Sequence, residues 1–168
     1  SQEFVDLTLK AGTFHPVVWR YVFKRNFLMK CNHPFLPIIH EDCIYTIHHF
    51  KDSNMVFYLD SLLHKRRNVA ASITHKKISI ERLEGAFIVL EDANNIFCSC
   101  ETIKERNIYK RWNYFCCNQM IWLVANSEYK KVYRARLYKY LIKDKRRPLD
   151  NYGKIWLTIG IIILITIL

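Results

Sequence analysis

The sequence predicts a mainly β fold: a small sandwich or half-open barrel of about seven antiparallel strands, capped by one C-terminal amphipathic helix and followed by a membrane-spanning tail. Three observations predict it. Between Leu7 and Ala125 the chain runs in short apolar or alternating stretches broken by turn residues. From Tyr129 the apolar period lengthens to that of an α-helix. The last fourteen residues, Ile155 to Leu168, carry no charge. A chain of 168 residues with 51% apolar, 24% charged and 14% aromatic side chains suits one globular domain and argues against disorder across its body. Its four glycines, Gly12, Gly85, Gly153 and Gly160, form no phosphate-cradling loop, which excludes Rossmann and P-loop chemistry.

Taken in order, Leu7 to Phe14 and Trp19 to Lys30 each hold a strand, with His15 and Pro16 marking the break. Ile44 to Phe50 and Met55 to Leu59 flank Lys51 to Asn54 and read as a hairpin. Lys77 to Leu83 alternates, with Ile78, Ile80 and Leu83 against Lys77, Ser79 and Arg82. Ala86 to Leu90 and Ile96 to Cys100 are separated by the turn-rich stretch Glu91 to Asn95. Trp112 to Cys117 and Met120 to Ala125 surround Asn118 and Gln119, a tight hairpin. The helix then runs from about Ser127 to Lys145. Tyr129, Val132, Tyr133, Leu137, Tyr140 and Leu141 form its apolar face, while Lys130, Lys131, Arg134 and Lys139 fall elsewhere. Asn126 or Ser127 is its N-cap, Glu128 sits in its first turn, and Pro148 ends it. The domain plan is therefore a β-rich body with its closing helix over residues 1–142, a basic linker over 143–154 and a membrane segment over 155–168.

The formal charge is +11, and nine cations lie between Lys130 and Arg147 against Asp144 alone. A basic footprint packed ahead of an apolar run points to a membrane surface rather than to nucleic acid. As a helix, fourteen residues rise about 21 Å, short of a hydrocarbon core of about 30 Å, and the expectation is of a membrane segment of which this stretch is a part. Lys143, Lys145, Arg146, Arg147, Lys154 and the interfacial Trp156 are the expected membrane-surface residues. Their charge places the N-terminal domain in the cytosol of a single-pass membrane protein. No N-terminal apolar segment reads as a signal peptide. The six cysteines include an adjacent pair, Cys116 and Cys117, and an i, i+2 pair, Cys98 and Cys100, spacings that favour thiols over local bridges.

Strands closed by a single C-terminal helix, with the stretch Met120 to Leu137 leading from an apolar strand through Ser127 and Glu128 into a helix, resemble the pleckstrin-homology family. Lys10 to Gly12 and Phe23 to Met29 resemble its first two strands. The helix departs from the family pattern by carrying Tyr133 where a tryptophan is usual. The resemblance implies an anionic head group held by Lys10, Arg20, Lys24 and Arg25 on the first hairpin, with Lys65, Arg66 and Arg67 on a second loop. Here too the pattern is incomplete, since neither Lys24 nor Arg20 is followed by the closing arginine of a Lys/Arg-x-Arg motif.

Chemistry is hard to find. Cys31 and His33, with His40 and Cys43, offer zinc-type ligands at short spacing, but Pro34 and Pro37 stiffen the connection and no paired CxxC frames it, so no metal is expected. His48 and His49 on a strand would point to opposite faces. No serine sits in a nucleophile elbow, and Glu41 with Asp42, and Glu91 with Asp92, read as solvated turn charges. Ile108 to Tyr114 interleaves aromatic and basic residues as single-strand nucleic-acid platforms do, yet the charge distribution argues against that partner. The expectation is a recognition or scaffold domain with no catalytic residue and no cofactor. It would bind anionic membrane lipids or a protein within a membrane complex. The alternative is an accessory structural subunit of such a complex with no ligand of its own.

Overall fold

The computed structural model describes residues 2–61, 64–65 and 76–143, the last two by backbone alone. Among them stand six α-helices and a 3₁₀ turn, and no strand. The helices are α1 (Gln2–Lys10), α2 (Arg25–Cys31), α3 (Glu41–Asp52), α4 (Ile80–Cys98), α5 (Ile103–Ala125) and α6 (Lys130–Lys143), with the turn at Val18–Arg20. They fall into two compact units: residues 2–37 with the described part of 41–77, and residues 38–40 with 78–143.

The β sandwich or barrel and the pleckstrin-homology resemblance are thereby corrected. The reason lies in window length. Leu83, Phe87, Leu90, Asn94 and Phe97 are buried at alternating steps of four and three, the seam of a helix pair. Glu91 to Asn95, read as a turn, lies in the middle of that helix, with Ala93 and Asn94 buried. In α5 the buried set Tyr109, Asn113, Cys116, Met120 and Leu123 repeats the same steps through the expected hairpin at Asn118 and Gln119. A window of five or six residues sees apolar and polar alternation in these sequences; nineteen and twenty-three residues show the helix. The start signals agree: Ser79 accepts a hydrogen bond from Arg82 N, and Thr102 and Glu105 form a reciprocal capping box.

The expected tail, 155–168, and the linker residues Lys145, Arg146, Arg147, Lys154 and Trp156 lie outside the described residues. Among those described, no helix is long and apolar enough to cross a membrane. The longest, α5, carries Lys104, Glu105, Arg106, Lys110 and Arg111 in its first half. The single-pass, tail-anchored location with a cytosolic N-terminal domain is corrected accordingly.

In the first unit α3 takes the place of the expected strand over 44–50. Ile44, Ile47 and Phe50 recur at three-residue steps on its buried face, and Glu41 and Asp42 in its first turn suit the helix dipole. Phe50 is the hub: its ring meets Tyr21 at 4.9 Å, Phe4 at 5.1 Å, Phe14 at 6.3 Å and Phe23 at 6.4 Å between centroids. Thr46 Oγ1 donates to the Pro16 carbonyl, which ties the connection between α1 and α2 to α3, and within that connection Tyr21 Oη donates to the His15 carbonyl. Gly12 at φ 67 stops α1 and Asn32 at φ 52 stops α2, both in the left-handed conformation common after a helix. Residues 53–60, which include the expected strand Met55 to Leu59, run outside any helix or strand.

In the second unit α4 and α5 form a helical hairpin, and α6 packs on it. Trp112, Tyr109, Phe87, Leu83, Leu90, Met120, Leu137 and Leu141 are almost fully enclosed. Burial of each apolar side chain of this size contributes roughly 1.5–3 kcal/mol relative to exposure. The segment expected as a helix from about Ser127 is helical from Lys130, so neither Asn126, which ends α5, nor Ser127 caps it, and it closes no barrel. Tyr133, Leu137 and Leu141 on it are buried in the helical unit.

The short segment 38–40 lies against α4 at Gly85, where a Cβ would fall on the Ile39 carbonyl oxygen. Substituting Gly85→Ala should raise helix propensity by about 1 kcal/mol and still lose stability, because overpacking costs about 1–3 kcal/mol and the obstacle is backbone. Urea unfolding followed by circular dichroism checks this: a lower midpoint is expected, and the exposed change Ala135→Gly gives the ordinary propensity effect for comparison.

Candidate binding surface on helix α6

Three groups of chemistry-bearing side chains stand in the described residues. The first is in the α2–α3 unit. His33 Nε2 donates to Asp52 Oδ2 at 2.7 Å, and the rings of His48 and His49 both lie 5.1 Å from that of His33. The helix thus brings together two histidines that a strand would have separated. His49 Nδ1 donates to the Tyr45 carbonyl at 2.7 Å, since a carbonyl can only accept. Burial, the largest cause, lowers the His49 pKa. Burial and then Asp52 raise that of the Cys31 thiol, so it is held protonated rather than activated. Burial does the same more strongly to Cys43, helped by Asp42. Among the described residues no three His, Cys, Asp or Glu side chains are placed to hold a metal ion. No disulfide joins any of the six cysteines.

The second group lies in the other unit. His40, at φ 76, is largely buried near Arg82, and burial followed by that guanidinium pushes its pKa down to about 4. The folded state therefore favours neutral His40. Its contribution is complete above the unfolded value near 6.5 and is lost as pH falls from there through about 4. The window corresponds to about 3 kcal/mol. His49 adds a loss of the same sign in the α2–α3 unit, beginning below 6.5. Stability measured from pH 7.5 down to 4 should fall, and His40→Gln should flatten the part of that fall that belongs to the α4–α6 unit.

The third group fixes α6. Tyr133 Oη donates to Glu84 Oε1 at 2.6 Å, and Arg136 Nη1 donates to both Glu84 oxygens at 2.7 and 2.8 Å. The Arg136 guanidinium also lies 4.1 Å from the Phe87 ring centroid, a cation–π contact. Tyr140 Oη donates to the Leu90 carbonyl at 2.9 Å. These bonds tie α6 to α4 over two turns. The hydrogen bond from Tyr133, then that from Arg136, lowers the Glu84 pKa, while the carboxylate pushes Tyr133 up to about 12. Glu84→Ala should destabilise the unit by about 1–3 kcal/mol, the scale of hydrogen bonds to a charged group, with the exposed Arg136 pair at the low end. Since the Glu84 pKa is depressed, that difference should be present in full at pH 7 and shrink progressively as pH falls below 4.5, as denaturant titrations at pH 7 and at steps below 4.5 would show.

With one side held, α6 shows another to solvent. It contains Lys130, Lys131, Arg134, Arg136, Lys139 and Lys143 and no acidic residue. Val132 is 72% exposed and Tyr138 50%, and Lys131, Ala135 and Lys139 are exposed beside them. The sequence already set Lys131 and Lys139 off the apolar face, but assigned the basic stretch to a membrane neighbourhood. Val132 it placed on the buried face, where the structure exposes it. Nothing local announced Glu84 as the anchor, since its partners lie 49 and 52 residues away.

The expected head-group residues are spread over several elements. Lys10 ends α1 and pairs with Asp6 at 2.6 Å; Arg20 lies over the Trp19 ring at 5.6 Å; Lys24 and Arg25 open α2. The strand hairpin that was to gather them is not present among the described residues. Lys65 is exposed, and Arg66 and Arg67 lie outside the described residues, as do Lys145, Arg146, Arg147, Lys154 and Trp156 of the expected membrane surface. Lys143 is the last residue of α6. Comparison with protein families, curated proteins and solved structures finds no match to this chain.

Proposed function

We propose that the chain is a recognition module that acts by binding an acidic partner through α6, with no catalytic step of its own. One observation carries this reading: a helix with six cations and no anion is fastened to its neighbours by Glu84 and Leu90 on one side, leaving Lys131 and Lys139 exposed on the other. A fixed helix presents its charges in a constant pattern, so less side-chain and backbone freedom is lost on binding than from a mobile tail. Clustered positive charge speeds encounter with an acidic surface and makes association sensitive to salt.

The test uses the full chain and polyglutamate as the acidic probe. Wild-type protein should bind fluorescent polyglutamate at low ionic strength and release it as salt rises past about 0.15 M, where the Debye length is about 8 Å. Lys131→Gln with Lys139→Gln should weaken binding about tenfold, from two exposed charge contacts of up to 1 kcal/mol each. The pair Lys24→Gln and Arg25→Gln, carrying the same charge change elsewhere, should have little effect. Equal weakening by both pairs, or no binding at low salt, overturns the proposal.

A further inference from the structure

The exposed side of α6 carries more than charge. Helix surfaces are built from rows of side chains three and four residues apart, and two helices pack by setting the rows of one into the grooves of the other. On α6 the three-residue row is Val132, Ala135 and Tyr138, apolar throughout. The four-residue row is Lys131, Ala135 and Lys139, basic at both ends. The two rows cross at Ala135. The smallest side chain of the face thus sits at its centre, with Val132 and Tyr138 on one diagonal and lysine ammonium groups on the other.

From this crossing we infer that the partner surface is an acidic amphipathic helix, laid across α6 with its apolar stripe on Val132, Ala135 and Tyr138 and its carboxylates against Lys131 and Lys139. The inference rests on the function proposed above and names its partner. Ala135 lets a second helix axis approach to about 8–10 Å, the distance at which helices interlock. Tyr138 is half exposed and Val132 more so, which leaves apolar area for the partner to cover. Tyrosine is a common anchor at the centre of protein interfaces.

The same face suits the other polyanions less well. A helix lying in a lipid surface needs a broad apolar side, and the broad apolar side of α6, with Tyr133, Leu137 and Leu141, is already buried. A single-stranded nucleic acid needs a series of aromatic rings on which bases stack, and this face offers Tyr138 alone.

The probe is a 21-residue peptide with leucines at helical spacing flanked by glutamates, compared with a scrambled peptide of the same composition, each titrated into the full chain by fluorescence anisotropy. The helical peptide should bind at least tenfold more tightly than the scramble. In Val132→Ser with Tyr138→Ser that preference should fall below threefold, and in Val132→Leu with Tyr138→Phe it should persist, which separates loss of the apolar row from damage to the fold. Equal binding of the two peptides to wild type, or a preference untouched by the serine pair, overturns the inference. So does tighter binding of phosphatidylserine vesicles or of a uridine 20-mer than of the helical peptide. If polyglutamate binds as described above while the peptides are not distinguished, the helical partner is wrong and the acidic partner stands. If polyglutamate does not bind either, both fall.

Discussion

The α4–α5 hairpin is the contact on which the second unit depends. Leu83, Phe87, Leu90 and Phe97 on one helix and Tyr109, Cys116, Met120 and Leu123 on the other supply two matching buried seams. Each seam also contains a buried asparagine, Asn94 or Asn113. Polar groups in such places reduce stability relative to leucine, and their best-attested use is to select one register of helix against helix. The Asn113 carboxamide oxygen accepts from the Cys117 thiol one turn on, at 3.5 Å. The hairpin is thus the platform on which both α6 and the segment 38–40 pack.

That platform gives α6 its two characters. A fourteen-residue helix with six cations would be marginal by itself, because short isolated helices barely form and like charges repel. Packing of Leu137 and Leu141, together with the Glu84 carboxylate taking bonds from Tyr133 and Arg136, offsets this. The carboxylate neutralises one arginine at the edge of the buried face and leaves Lys131 and Lys139 outside it. Stability and binding therefore draw on different residues of one helix, so the exposed side can vary without disturbing the buried one.

The α2–α3 unit reaches its cohesion by another route. Beside the buried Val5, Ile44 and Ile47 it gathers many rings, with Phe50 meeting four others and Phe35 stacked on Tyr45 at 4.0 Å. Offset and edge-on ring pairs add roughly 0.5–1.5 kcal/mol each beyond area burial, which suits a unit whose described helices are short. Histidines stand among these rings, with His49 4.1 Å from Tyr45 and 5.3 Å from Phe23 between centroids. An imidazole so placed packs as a ring when neutral, and burial disfavours its charged form.

Read alone, the sequence determined the things that depend on composition and on one contiguous stretch. These include the aromatic and apolar content needed for a core, the uneven charge, and the helical period from Tyr129 onward, where a wide apolar face and basic flanks lie within a dozen residues. It misjudged segments whose apolar residues are β-branched or aromatic and closely interleaved with polar ones, as in Ile44 to Phe50 and Trp112 to Cys117. Such stretches have strand propensity, and propensity is a weak prior beside the burial of a continuous face. Only tertiary structure decided between the two, because a seam of four-and-three steps is worth forming only when another helix carries its complement. The anchor at Glu84, the contact of Ile39 with Gly85 and the meeting of His33 with Asp52 belong to the same class. Each joins residues 19 or more positions apart, and nothing local to either end specifies the other.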